Sequence, residues 1–280
     1  MLATFVIGLR EGIEASLIVG IIAAFLAQQG RRDTLRLVWI GVGVGVALCL
    51  AVAIGLQVLS ASLPEGGQET VETIVGTVAV GMVTYMVVWM RQHARGLKRQ
   101  LESATSHALL EGTAWALVGM AFFAVLREGF ETSVFLLAAF QASASELAAS
   151  IGALAGILTA VVLGWAIFRG GMRINLGRFF RLTGLVLVLV AAGLVASTLH
   201  SAAEIGWITF GQGTAVDLSW LIRPGSIWEA LITGVLGLRA QPATIELIGW
   251  LAYLVPVALF VAWPVRSAVP RRPAPVEAER

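Results

Sequence analysis

The chain has 280 residues, of which 58% are hydrophobic; its 19 Lys+Arg and 17 Asp+Glu make it 13% charged, against roughly 25% in an average soluble domain. With a mean hydropathy of +0.87 it can neither cover a soluble surface with polar groups nor remain disordered, which excludes a soluble enzyme and a nucleic-acid binder. A single cysteine, Cys49, excludes an intramolecular disulfide and any Cys-based zinc or iron–sulfur site.

The class that remains is all-α: a polytopic membrane protein. A bilayer core needs about 20 apolar residues per helix, and seven stretches meet that length: Leu2–Gln28, Leu37–Leu59, Val71–Met90, Thr113–Phe140, Ala148–Phe168, Leu182–Glu204 and Ala243–Trp263. The first lacks a basic leader and is expected to be retained as a span. The apolar stretch Ser226–Leu238 is too short to span and reads as an interfacial or re-entrant helix. The tail 266–280 follows a Pro-Arg-Arg-Pro-Ala-Pro run and is expected to be disordered.

Lysine and arginine alternate cleanly between successive connections. Three follow the first span, none the second, four the third, none the fourth and four the fifth. Positive charge favours the cytoplasmic side, so the N-terminus is expected outside and the C-terminus inside. On that topology the outer side, outer helix ends included, carries eight acids (Glu65, Glu69, Glu72, Glu146, Glu204, Asp217, Glu229 and Glu246) against two bases, the inner side fifteen bases against five acids, and the interiors of the spans two Arg and four Glu. The pI near 9.2 therefore reports the cytoplasmic rim. The outer acids, read together, would concentrate cations at a mouth; read singly, each is a solvated surface group.

The charges inside the spans carry the chemistry. Arg10-Glu11-Gly12-Ile13-Glu14 in the first span recurs as Arg127-Glu128-Gly129-Phe130-Glu131 in the fourth. The copies lie three spans apart, with two spans between them, so the fourth runs opposite to the first, as in transporters built from inverted repeats. Gly41-xxx-Gly45 and Gly152-xxx-Gly156 occupy matching places in the second and fifth spans, a spacing that permits close helix packing. The layout is two inverted three-helix repeats, about 1–92 and about 110–206, followed by an outer loop at 207–242 and a seventh helix at 243–263. Together they form one membrane domain over 1–265.

At 100° per residue each motif places its Arg and two Glu within one 100° arc. A charge at the bilayer centre costs about 2.5–3.5 kcal/mol, so each arc must face protein or a water-filled cavity. The two spans are expected to be the longest and to be interrupted at their polar centres. Brought together, Glu11, Glu14, Glu128 and Glu131 with Arg10 and Arg127 give a net charge of −2, which suits a hard, dehydrated cation. The competing reading is two salt-bridged helices that use charge only to fix their packing. Two further pairs lie at outer helix ends. Glu69 and Glu72 stand at i, i+3, as an entrance site or as an acidic interfacial turn. His200 and Glu204 stand at i, i+4, as transition-metal ligands or as packing residues. His93 and His107 read as solvated.

Two Arg-Glu-x-x-Glu motifs in the first and fourth of seven helices resemble the oxidase-dependent high-affinity iron permeases, a family of fungal and bacterial transporters. The resemblance covers residues 1–265 and takes in Glu69-x-x-Glu72 and His200 followed by Glu204-Ile205-Gly206-Trp207. It implies Glu11, Glu14, Glu128 and Glu131 as iron ligands, with Arg10 and Arg127 as structural or electrostatic partners. It also implies the bacterial inner membrane, with a periplasmic iron-binding protein and a haem peroxidase as partners. Nothing in the chain points to a multicopper oxidase.

The expected function is iron import with no tightly bound cofactor, the ion passing from the outer acids through Glu69/Glu72 and His200/Glu204 to the paired motifs. A site of −2 is neutralised by Fe²⁺ and left at +1 by Fe³⁺, a mild preference that one shifted proton reverses. The alternatives are a permease for lead or manganese and a membrane-bound metal-dependent oxidoreductase. The second is disfavoured because di-iron bundle sites use Glu-x-x-His, and no Glu here precedes a His by three.

Overall fold

A computed structural model of the chain describes residues 1–28, 30–93, 114–143, 145–168, 176–222, 232–233 and 236–263. Among them are seven α-helices: α1 (Leu2–Gln28), α2 (Arg32–Ala61), α3 (Glu65–His93), α4 (Ala114–Gln141), α5 (Glu146–Phe168), α6 (Leu176–Glu204) and α7 (Thr244–Ala262). Five of them, α2, α3, α5, α6 and α7, are long and apolar enough to cross a membrane. The other two, α1 and α4, carry the charged motifs.

The observed helices overrun several predicted spans because a charge ends a hydrophobic stretch but not a helix. Arg, Glu and Lys are good helix formers, and α2, α3, α5 and α6 continue through such residues at one or both ends. Two expectations are corrected. At 27 and 28 residues α1 and α4 are shorter than α2, α3 and α6, which have 29 or 30. Both are also continuous helices through Gly12 and Gly129, because one glycine costs only about 1 kcal/mol in a helix held by packing on both sides. The tail and His107 lie outside the described residues, as does the His93 side chain.

Helix pairing is set by small residues. The most extensive contact joins α1 to α5, followed by α2 with α4 and α3 with α6; α7 packs on α6, and α1 crosses α4. In α5, Gly152 lies against the Met1 carbonyl and Gly156 against the Phe5 carbonyl of α1. In α2, a Cβ on Gly41 would come 3.0 Å from Val118 of α4, and one on Gly45 3.3 Å from Val125. Both predicted glycine pairs therefore face a partner helix. The main apolar core lies among α1, α3, α4 and α6 and includes Ile7, Val83, Phe135, Leu187 and Ala191. Large apolar side chains such as Ile54, Val58, Leu154 and Val162 point outward, as they must where the surroundings are lipid.

The C-terminus of α6 is closed by Gly206 in the left-handed region (φ 77°). The Gly206 and Trp207 N–H groups donate to the Ala203 and Ala202 carbonyls, the paired bonds of a glycine-terminated helix. This holds His200, Ser201 and Glu204 on the last turn. Most of Ser226–Leu238 lies outside the described residues. Its described end reaches the middle of α6, where a Cβ on Gly193 would lie 2.9 Å from Gly237 Cα; the chain then returns to α7.

Replacing Gly156 by Leu would drive a side chain into the backbone of α1. Overpacking of this kind costs about 1–3 kcal/mol where neighbours can give way and more against backbone. The variant is expected to unfold in detergent well below the parent, whereas Gly43→Leu, whose Cβ meets nothing within 4 Å, is expected to keep the parental melting temperature.

Candidate metal-transport site

The two motifs occupy similar stretches of α1 and α4 but differ in environment. Arg10 is 1% exposed. Its Nη1 donates to Glu11 Oε1 at 2.7 Å, and its Nη2 lies 2.9 Å from Glu14 Oε1. The guanidinium also rests against Met86 Sδ of α3 and stands 5.8 Å from the centre of the Phe180 ring of α6. Arg127 pairs with Glu131 at 3.0 Å and with Glu128 at 3.9 Å, but its side chain is 55% exposed. It stands 5.9 Å from the Trp89 ring of α3. The first Arg is therefore locked by two carboxylates and by packing, the second held mainly by Glu131.

Where α1 crosses α4, three carboxylates converge. One oxygen each from Glu11, Glu128 and Glu131 can be chosen so that all lie within 4.8 Å of one another. Oxygens bound about 2.1–2.5 Å from one ion are at most roughly twice that far apart, so the spacing of the three is compatible with a single shared cation. Glu11 Oε2 and Glu128 Oε2 are buried without a hydrogen-bond partner. A buried carboxylate left so is costly unless it is protonated or meets a cation. An all-oxygen, carboxylate-rich donor set suits hard divalent ions. Glu14 is outside the three-oxygen group and is held by Arg10.

The secondary candidates gather at the ends of α3, α6 and α7. Glu72 Oε2 accepts the Ser201 hydroxyl at 3.2 Å, and Glu69 is half-buried one turn earlier. His200 Nε2 lies 3.1 Å from Glu204 Oε1, so that pair does meet. Its Nδ1 lies 2.7 Å from Glu246 Oε1 on α7, and Arg239 also abuts Nε2. Sequence reasoning placed Glu246 among the solvated outer acids, but it is 5% exposed and anchors α7 to α6. Its one signal was position, an acid in the first turn of an otherwise apolar helix. Met86, Ser201 and Arg239 carried no signal at all. Asp217, by contrast, is the loop acid it was expected to be: the Ser219 hydrogen bonds hold its carboxyl below the ordinary carboxylate range.

A bundle of apolar helices around buried carboxylates defines a multi-pass membrane protein with a cluster of acids in its interior. Comparison with known proteins narrows the class. Residues 1–273 match the iron permease FTR1 family. The chain is 42% identical over 269 residues to the ferrous iron permease EfeU of Shigella sonnei (strain Ss046), covering 95% of this chain and 97% of that protein. The same figures hold for the protein of that name from Escherichia coli O157:H7. For that of Yersinia pestis the identity is 39% over 269 residues, 95% of each chain. No solved structure matches. The chain belongs to the iron permease FTR1 family: it is a permease, a transporter rather than an enzyme, as the sequence resemblance indicated.

The two arginines should differ in what they do for the fold. Arg10→Ala leaves Glu11 and Glu14 buried without their cation, a loss of about 3–5 kcal/mol for a broken buried pair. Thermal unfolding in detergent should show a large drop in midpoint for Arg10→Ala and a much smaller one for Arg127→Ala.

Proposed function

We propose that this protein imports iron ions across the bacterial inner membrane through a carboxylate site contributed by both Arg-Glu-Gly-x-Glu motifs. The observation that carries the reading is the approach of Glu11, Glu128 and Glu131 across the α1–α4 crossing, with Glu11 Oε2 and Glu128 Oε2 unpaired. Two salt bridges used only for packing would have no need of that excess of buried acid. Glu14, within electrostatic reach of Glu128 and Glu131, adds negative charge to the site while fixing Arg10.

Two inverted repeats, α1–α3 and α4–α6, are supported by the helix neighbours. Exchanging α1 with α4, α2 with α5 and α3 with α6 turns the α1–α5 contact into α4–α2 and leaves α1–α4 and α3–α6 unchanged. In such transporters the site lies at the repeat interface, and the halves rock around it. The N-terminus lies outside and the C-terminus inside, supported by the lysine and arginine asymmetry of the connections. The acids Glu69, Glu72 and Glu204 with His200 then stand at the outer mouth. The relatives named ferrous iron permeases and the −2 charge of the paired motifs both favour Fe²⁺ as the ion bound.

Uptake of radiolabelled ferrous iron into proteoliposomes tests this reading. Glu131→Gln and Glu128→Gln are expected to lose at least tenfold in rate at equal protein content. Wild-type uptake by both variants would overturn the proposal. Competition by unlabelled manganese or lead, measured on the parent, separates iron from other divalent cargo: iron is expected to compete at the lowest concentration.

A further inference from the structure

Between the outer mouth and the paired motifs lies a small cavity bounded by α3, α4 and α6. It is about 10 Å³, room for roughly one water-sized particle. Five polar side chains converge on it: Glu72, Gln141, Ser197, Thr198 and Ser201. The surrounding helix faces are apolar, so this concentration of polar groups needs an occupant. Glu72 takes one hydrogen bond there, from Ser201. The Gln141 amide nitrogen is buried with no partner, and its amide can turn over to offer the oxygen instead. Gly76 makes the space: a Cβ at this position would collide with the Thr198 hydroxyl.

We propose that this cavity is a waiting site for the transported divalent cation, held by the Glu72 carboxylate with the oxygens of Gln141, Ser197, Thr198 and Ser201. The inference rests on the transport reading above and adds a step to it. One carboxylate with neutral oxygens is a weaker version of the donor set at Glu11, Glu128 and Glu131, so an ion binds but is not trapped. Ala138 and Leu194 form the inner wall of the cavity. Both belong to the main apolar core with Ala79, Val83 and Phe135. An ion arriving from the outside therefore stops here until α3, α4 and α6 part, which is how a rocking transporter meters access to its central site. Glu69, His200 and Glu204 do not line this space. Of the two predicted outer pairs, Glu72 alone reaches inward.

Thr198→Val and Gln141→Leu keep shape and remove oxygen. In proteoliposomes supplied with ferrous iron and ascorbate, each is expected to raise the half-saturating iron concentration about tenfold with a maximal rate near the parent's. Glu131→Gln should fail at every concentration. Parental half-saturation in both cavity variants, or a lower melting temperature with unchanged transport, would mean that the cavity holds only a structural water, and the proposal fails while the central carboxylate site stands. Shifted half-saturation together with normal transport by Glu131→Gln would leave the waiting site and overturn the central reading. Binding gives an arm independent of flux. In a Glu131→Gln background, manganese is expected to raise the melting temperature, and adding Thr198→Val or Ser197→Ala should abolish that rise. A manganese shift that survives both additions would overturn the waiting site.

Discussion

Charge placed among apolar helices has to be answered by opposite charge, and in this bundle most of the architecture follows from how that is done. Arg10 sits at the centre of it, with two carboxylates on its own helix, a thioether from α3 and an aromatic ring from α6 around one guanidinium. Replacing it with an apolar side chain would leave its partners charged in a low-dielectric interior, where an unpaired ion costs several kcal/mol. The arrangement fixes the orientation of Glu11 and so sets one wall of the carboxylate group. The small residues of α5 and α2 serve the same end, since α1 and α4 are held close by helices whose glycines admit the neighbouring backbone or side chains.

The second motif repeats the residues without repeating the environment. Arg127 is more than half exposed and makes its close contact with a single carboxylate. A charge held this loosely can follow Glu131 or leave it, whereas Arg10 cannot move without uncovering two acids. On the proposed reading, one motif serves as scaffold and the other as the adjustable side of the carboxylate site. That division suits a protein that must bind an ion from one side of the membrane and release it to the other, because a site rigid on all sides would hold its cargo.

The six intramembrane charges were legible because the apolar background makes any charge conspicuous and because the motif occurs twice. The 100° arc placed them on one face, and the repeated glycine pairs named the packing helices. What the sequence could not supply was the choice among carboxylates. Glu11 and Glu14 share that arc, and only the crossing of α1 with α4 decides that Glu11 approaches Glu128 and Glu131 while Glu14 turns to Arg10. Nor could local pattern pair Glu246 with His200, 46 positions away on another helix. Polar lining of the outer cavity escaped for a similar reason: Gln141, Ser197 and Thr198 are unremarkable in one helix and acquire meaning where three helices meet. Expected breaks in α1 and α4 did not occur, since a helix flanked closely by neighbours keeps its hydrogen bonds through a single glycine.

Locating the ion tests the account most directly. Anomalous scattering from crystals of the purified protein grown with manganese or ferrous iron would show whether metal sits at the α1–α4 crossing. The account predicts a peak within about 2.5 Å of oxygens from Glu11, Glu128 and Glu131, lost in Glu128→Gln. An occupied metal site elsewhere with the crossing empty, or a peak there that survives Glu128→Gln at full height, would contradict it.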